Sequence, residues 1–254
     1  MQTILNIQGQ FFSCDLTQPI DISLPITSET GAASAWHCST PRMEPVVMGS
    51  WIGDVNHGAP VNFRNIFFNP HGNGTHTECV GHISKEFVSV NKVLSHFHLP
   101  CTVVSVEPRT EKSDRIIYPE DLEPAFAQNF PSEALVIRTL PQENQKRHQQ
   151  YTDTNPPYLH NSCATFLQSK NIKHLLVDMP SVDKEKDEGK LLMHHAFWNY
   201  PSTIDQQRTI TELVFVPNEI PDGNYLLNLM VAAFENDAAP SRPVLYSIRK
   251  IMQP

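Results

Sequence analysis

Apolar and polar positions alternate along residues 10–26 (QFFSCDLTQPIDISLPI), which predicts two short strands around a turn at Thr17-Gln18-Pro19. Residues 27–45 are small, polar and broken by proline, the composition of a loop, with Trp36 in its middle. Strands are predicted at 46–52 (VVMGSWI) and 62–68 (NFRNIFF). Three short runs rich in apolar and β-branched residues follow at 101–107, 134–140 and 174–179, the signature of strands buried on both faces. Between the last two, residues 162–170 read as a helix with Asn161 at its N-cap. Further strands are expected at 210–216, 225–234 and 243–248, with Glu212 near the start of the first of these. Residues 141–160 are polar and read as an exposed excursion. Strands on both sides of it suit one sheet, so the expectation is a single β-rich α/β domain over residues 1–254.

Composition narrows the function classes. The formal charge is 19 − 27 = −8, which argues against phosphate neutralisation and hence against nucleic acid as a partner. No stretch approaches the ~18–20 apolar residues that cross a bilayer, and the first residues lack the basic head of a signal peptide. The five cysteines are widely spaced with no CxxC, which disfavours a disulfide framework or zinc knuckle and suits a reducing cytoplasm. Proline is 21 of 254 residues and glycine only 10, the reverse of the usual order of about 5% and 7%. Clustered glycines therefore stand out.

Three of the glycines lie in Asn69-Pro-His71-Gly-Asn-Gly-Thr-His76-Thr-Glu78-Cys-Val-Gly-His82, with three histidines and a glutamate. Imidazole and carboxylate are the donors that divalent transition metals take. In an extended segment, His76 and Glu78 share one face and Thr75 and Thr77 the other. Gly72 and Gly74 can adopt positive φ, so the chain can turn and aim His71 at the same point. A helical turn after Glu78 would return His82 to it. A polar turn with incidental histidines is the plain alternative. Cys79 would face away. Downstream, His194-His195 and Glu212 form a second candidate group, since a carboxylate in an apolar strand needs a partner. The remaining histidines, His174 among them, lack partners at metal-ligand spacing. There is no GxSxG, HExxH, GxxxxGK[ST] or GxGxxG, which weakens serine-hydrolase, zincin and nucleotide-binding readings.

The run Gly74-Thr-His76-Thr-Glu78-Cys-Val-Gly-His82 resembles the GTHxDxPxH signature of the cyclase-like metal-dependent hydrolases, a family that includes bacterial kynurenine formamidases and isatin hydrolases. Asp178-Met-Pro-Ser181-Val-Asp183 is similar to its D-x-PS-x-D segment, and His194-His195-Ala-Phe to its histidine-led helix. Thr211-Glu212-Leu-Val, Pro221-Asp-Gly-Asn-Tyr225 and Ala239-Pro240-Ser-Arg-Pro-Val244 resemble its closing motifs. The likeness runs in order over residues 12–248. Three departures are visible: Glu78 stands where the pattern has aspartate, Val80 where it has proline, and Asn73 is an insertion that moves His71 one residue from its usual place.

The resemblance implies a swivelling β/β/α fold and hydrolysis of a C–N amide bond, as in an arylformamide, in a small-molecule substrate. It implies His71, His76, Glu78, His194 and Glu212 as ligands of zinc or manganese, with two ions per chain, His82 as proton donor and acceptor, and Trp36 as a substrate-packing aromatic. It also implies a homodimer or larger oligomer. Cyclic-imide or lactone hydrolysis on the same scaffold is the alternative within enzymes. Metal or small-molecule binding without catalysis is the alternative from a different class, and a cupin-like metal dioxygenase, an enzyme on another fold, is a third.

Overall fold

The computed structural model describes residues 1–253. One large sheet collects strands from both ends of the chain. They are β1 (Gln2–Ile7), β2 (Gln10–Asp15), β3 (Ile20–Asp21), β4 (His76–Glu78), β5 (His98–Val106) and β6 (Ala134–Thr139). The remaining members are β7 (His174–Val177), β8 (Thr209–Glu212), β9 (Gly223–Asn228), β10 (Ala238–Pro240) and β11 (Val244–Ile251). The spatial order is β1-β2-β11-β9-β5-β6-β7-β8-β4-β10, with β3 beside β11. Strands β5 to β8 are parallel and their flanks antiparallel. The two helices that matter here are α1 (Ser162–Ser169) and α2 (Leu192–Phe197).

Alternation within the parallel strands separates two cores. Val104, Leu135, Ile137, Leu175, Val177 and Ile210 point to one face, where Leu167 of α1 and Met193, Phe197 and Trp198 from the α2 region cover them. Cys101, Val103, Ala134, Val136 and Leu176 point to the other, against Tyr225, Leu227 and Leu245. This two-sided burial is why these runs read as continuously apolar. The result is the mixed α/β, strand-rich class expected.

Several local expectations change. Residues 46–52 form a tight hairpin of Val47–Met48 against Trp51–Ile52, because Gly49-Ser50 makes a turn. The stretch 27–45 is mostly loop, but Arg42–Pro45 pairs with Arg64–Phe67 in a separate ribbon. The segment at 210–216 begins one residue earlier and leaves the strand at Glu212, where Leu213 takes φ +56°. Glu212 thus ends a strand, not begins one. The segment at 225–234 stops at Asn228. Within 141–160, Gln142, Tyr151 and Leu159 are buried, and Gln142 donates to the Val216 carbonyl, so the excursion is partly folded in. Asn161 sits at the start of α1, but its side chain makes no cap bond. Instead the Ser162 N–H donates to the His160 ring at 3.3 Å. Among the described residues, no helix is long and apolar enough to cross a membrane.

Candidate metal centre

The site lies at the carboxyl ends of the parallel strands, on the α2 side. Strand β4 builds its first half. His76 pairs across with Glu212 of β8, and Glu78 with Ile210. Side chains alternate, so Thr77 faces the other way and hydrogen-bonds Thr211 at 2.7 Å. Thr75 also faces away, accepting from the Leu24 N–H at 2.7 Å. Gly74 has φ +82°, the turn that admits the chain to β4. Gly72 plays a different part from the expected one, because its φ is not positive. A Cβ there would lie 2.4 Å from Cys38 Sγ and 2.9 Å from the Ala35 carbonyl, so the residue permits close packing of the Trp36 loop.

A short 3-10 turn, Val80–His82, follows β4 and brings His82 Nδ1 to 3.8 Å from Glu78 Oε2. Cys79 is buried and turned away. Its thiol donates to the Val88 carbonyl, and burial pushes its pKa up to about 11. His71 is on the preceding loop. The inserted Asn73 closes that loop by accepting from the Asn69 N–H at 2.8 Å. The loop still delivers His71 to the cluster, with Nδ1 3.1 Å from Glu78 Oε2 and its ring 4.3 Å from that of His82.

Helix α2 and β8 supply the second half. His194 Nε2 lies 3.0 Å from Glu78 Oε1 and 3.9 Å from Glu212 Oε1. Its Nδ1 donates to Asp183 at 2.6 Å. Asp183 also accepts the N–H groups of Met193 and His194 at 2.7 and 3.1 Å, which anchors the start of α2. His195, by contrast, points to the Tyr200 carbonyl.

The electrostatics call for a cation. Burial opposes a charge on His194, but Asp183 and Glu78 outweigh it and push its pKa up to about 10. His71 is likewise pushed up to about 10, with Asp237 and Glu78 overcoming burial. Burial would raise the Glu78 carboxyl, yet the surrounding imidazoles hold it well below the ordinary range. His76 is the most direct indicator. Its Nδ1 lies 3.2 Å from the Gly74 carbonyl, which can only accept, so in the neutral ring Nδ1 carries the proton and Nε2 the lone pair. That Nε2 is buried without a hydrogen-bond partner and faces Glu212 Oε2 at 3.4 Å. A lone pair there and the Glu212 carboxylate repel unless a proton or a metal cation lies between them. Tetrahedral ligands with bonds of ~2.1 Å stand about 3.4 Å apart, so the spacing suits a shared ion. The donor set of imidazole nitrogen and carboxylate oxygen fits zinc or manganese.

All six residues singled out as ligands or proton carrier thus come together. Trp36 is on the wall of the cavity above them. This cavity has a volume of about 340 Å³ and is also lined by Cys38, Ser181, Lys184 and Leu191. Two carboxylates of the cluster had no role in the sequence reading. Asp183 lies within a recognised motif, where its function was unassigned. Asp237 carries no local signal at all: it comes from a loop before β10, and its Oδ2 is 2.8 Å from His71 Nε2.

The putative cyclase family model matches residues 14–184, which include the first half of this site. The kynurenine formamidase of Bacillus cereus is 26% identical over 231 residues, covering 90% of this chain and 97% of that protein. The kynurenine formamidase of Bacillus mycoides is 26% identical over 234 residues, with 91% and 99% covered. Among solved structures, isatin hydrolase A from Labrenzia aggregata, bound to benzyl benzoate, superposes with a TM-score of 0.67 at 15% identity, covering 90% of this chain and 93% of that one. The chain belongs to the cyclase family, whose relatives here are hydrolases.

Proposed function

We propose that this protein is a metal-dependent amidohydrolase acting on an arylformamide or a closely related aryl amide: R–NH–CHO + H2O gives R–NH2 and formic acid. The observation that carries the metal requirement is the buried Nε2 of His76, which has no hydrogen-bond partner and faces Glu212 amid the converging imidazoles and carboxylates. The substrate class rests on the relatives' names and on Trp36 beside the cluster.

His71, His76, Glu78, His194 and Glu212 would hold one or two divalent ions; Glu78 Oε2 faces His71 and Oε1 faces His194. Such ions lower the pKa of a bound water toward ~7 and polarise a carbonyl. The rest falls to the chain. Trp36 gives the aryl ring a flat apolar surface at the cavity wall. Asp183 fixes the His194 proton on Nδ1 and so leaves Nε2 free to coordinate. His82 is partly exposed to the cavity, with Nδ1 3.5 Å from Asp237. It would take a proton from the attacking water and return it to the leaving nitrogen.

The test is turnover by metal-reconstituted protein against an N-formyl arylamine, isatin and an aryl lactone, with release of formate followed. Formate release that disappears with chelator and returns with zinc or manganese is the expected result. Preference for isatin or the lactone would reassign the substrate to the cyclic class. Metal binding with no turnover of any of the three would favour a binding protein.

A further inference from the structure

Asp237 reaches the site because β10 pairs with β4, placing Ala238 opposite Glu78. The Cys79 N–H donates to the Asp237 carbonyl at 3.0 Å. Gly81 makes room for this segment, since a Cβ there would lie 3.1 Å from Asp237 Cβ and 2.2 Å from the Val88 carbonyl. Around Glu78 the arrangement is doubled. Oε1 faces His194 Nε2, and Asp183 holds the far nitrogen of that ring. Oε2 faces His71 Nδ1, and Asp237 holds the far nitrogen of that ring at 2.8 Å.

We propose that Asp237 is the positioning residue for His71, orienting the imidazole so that Nδ1 coordinates metal. The proposal rests on the metal-centre reading above. A neutral imidazole has one N–H and one lone pair. A carboxylate that accepts the Nε2–H places the lone pair on Nδ1, facing Glu78. His76 does not need such help, because β4 fixes its backbone and the Gly74 carbonyl its proton. His71 hangs from a loop closed by Asn69 and Asn73, and Asp237 supplies the constraint that a strand would otherwise give.

Metal affinity, measured by chelator competition, tests this without any substrate. Asp237→Ala should weaken one ion about 10–100-fold, the usual effect of removing a hydrogen-bond partner of a ligand. Asp237→Asn can still accept the Nε2–H through its side-chain oxygen and should recover most of that loss. In a His71→Ala background, Asp237→Ala should cost nothing more. The visible spectrum of the cobalt-substituted Asn variant should keep the wild-type bands. Unchanged affinity in Asp237→Ala overturns the proposal. So does a further loss in the His71→Ala background, or an altered cobalt spectrum, since either makes Asp237 a ligand itself. Should the Ala variant fail to fold, affinity and spectrum of the Asn variant decide. Wild-type protein that binds no ion overturns the metal centre as well, whereas absent amidase activity bears only on the proposed substrate.

Discussion

His194 and His174 are both buried, one at each end of the parallel strands, and their surroundings drive them in opposite directions. At the carboxyl end, His194 meets Asp183 and Glu78 and is pushed up to about 10. At the amino end, His174 begins β7 and has only the Thr209 hydroxyl on its Nδ1, 2.8 Å away. Burial first, then the nearby positive charges of Lys173 and Arg208, pushes it down to about 4. Burying an imidazole thus does not make a site. Carboxylates on both ring nitrogens do, because they gather negative charge that a metal ion can neutralise.

The sharpest way to break this contrast is to remove the carboxylate on which both arms converge. Glu78→Gln keeps the shape and removes the charge. We expect loss of bound metal and activity at the background of the assay, while His174→Asn should retain metal. Elemental analysis of the two variants decides. Full metal content in Glu78→Gln would place the ions elsewhere.

A smaller effect separates holding from proton transfer within the same end. His82→Ala should keep most of the metal, because the remaining five residues still converge, and lose about 10²–10⁴ in kcat. The loss should shrink for substrates with good leaving groups. Metal content and steady-state kinetics on one preparation check this. Parallel loss of metal would make His82 a ligand.

How far the chain could be read follows from the range of the interactions. Residues whose placement depends on local periodicity were legible. His76 and Glu78 share a face through the two-residue strand repeat, and His82 returns through one turn. Residues 134–139 and 174–177 read as strands because both faces are apolar and buried. Glu212 stood out as a carboxylate among apolar neighbours, although its place at the end of a strand depended on Leu213 turning to positive φ. Asp237 was not legible: it is one of 27 acidic residues, in a loop without periodicity, and only the pairing of β10 with a strand 160 positions earlier gives it a role. The Arg42–Pro45 and Arg64–Phe67 ribbon was half missed for a related reason. Its members are largely exposed, so burial leaves little pattern to read.

The smallest effect belongs to the other end of the strands and appears in stability, not activity. The folded pKa of His174, about 4, lies below the ~6.5 of an unfolded histidine. Between these values the unfolded chain binds a proton that the folded chain refuses. Stability contributed by the neutral ring is therefore complete above pH ~6.5 and falls as pH drops toward 4. A difference of about 2.5 units corresponds to about 3 kcal/mol at most. His174→Asn cannot titrate there, and its oxygen can still accept from Thr209. The variant should thus lose less stability than wild type between pH 7 and 4.5. Denaturant melts at both pH values, in chelator so that acid release of metal does not contribute, give the comparison. Equal losses in the two proteins would mean that His174 takes up its proton without unfolding, and that carboxylates are not what distinguishes the two ends.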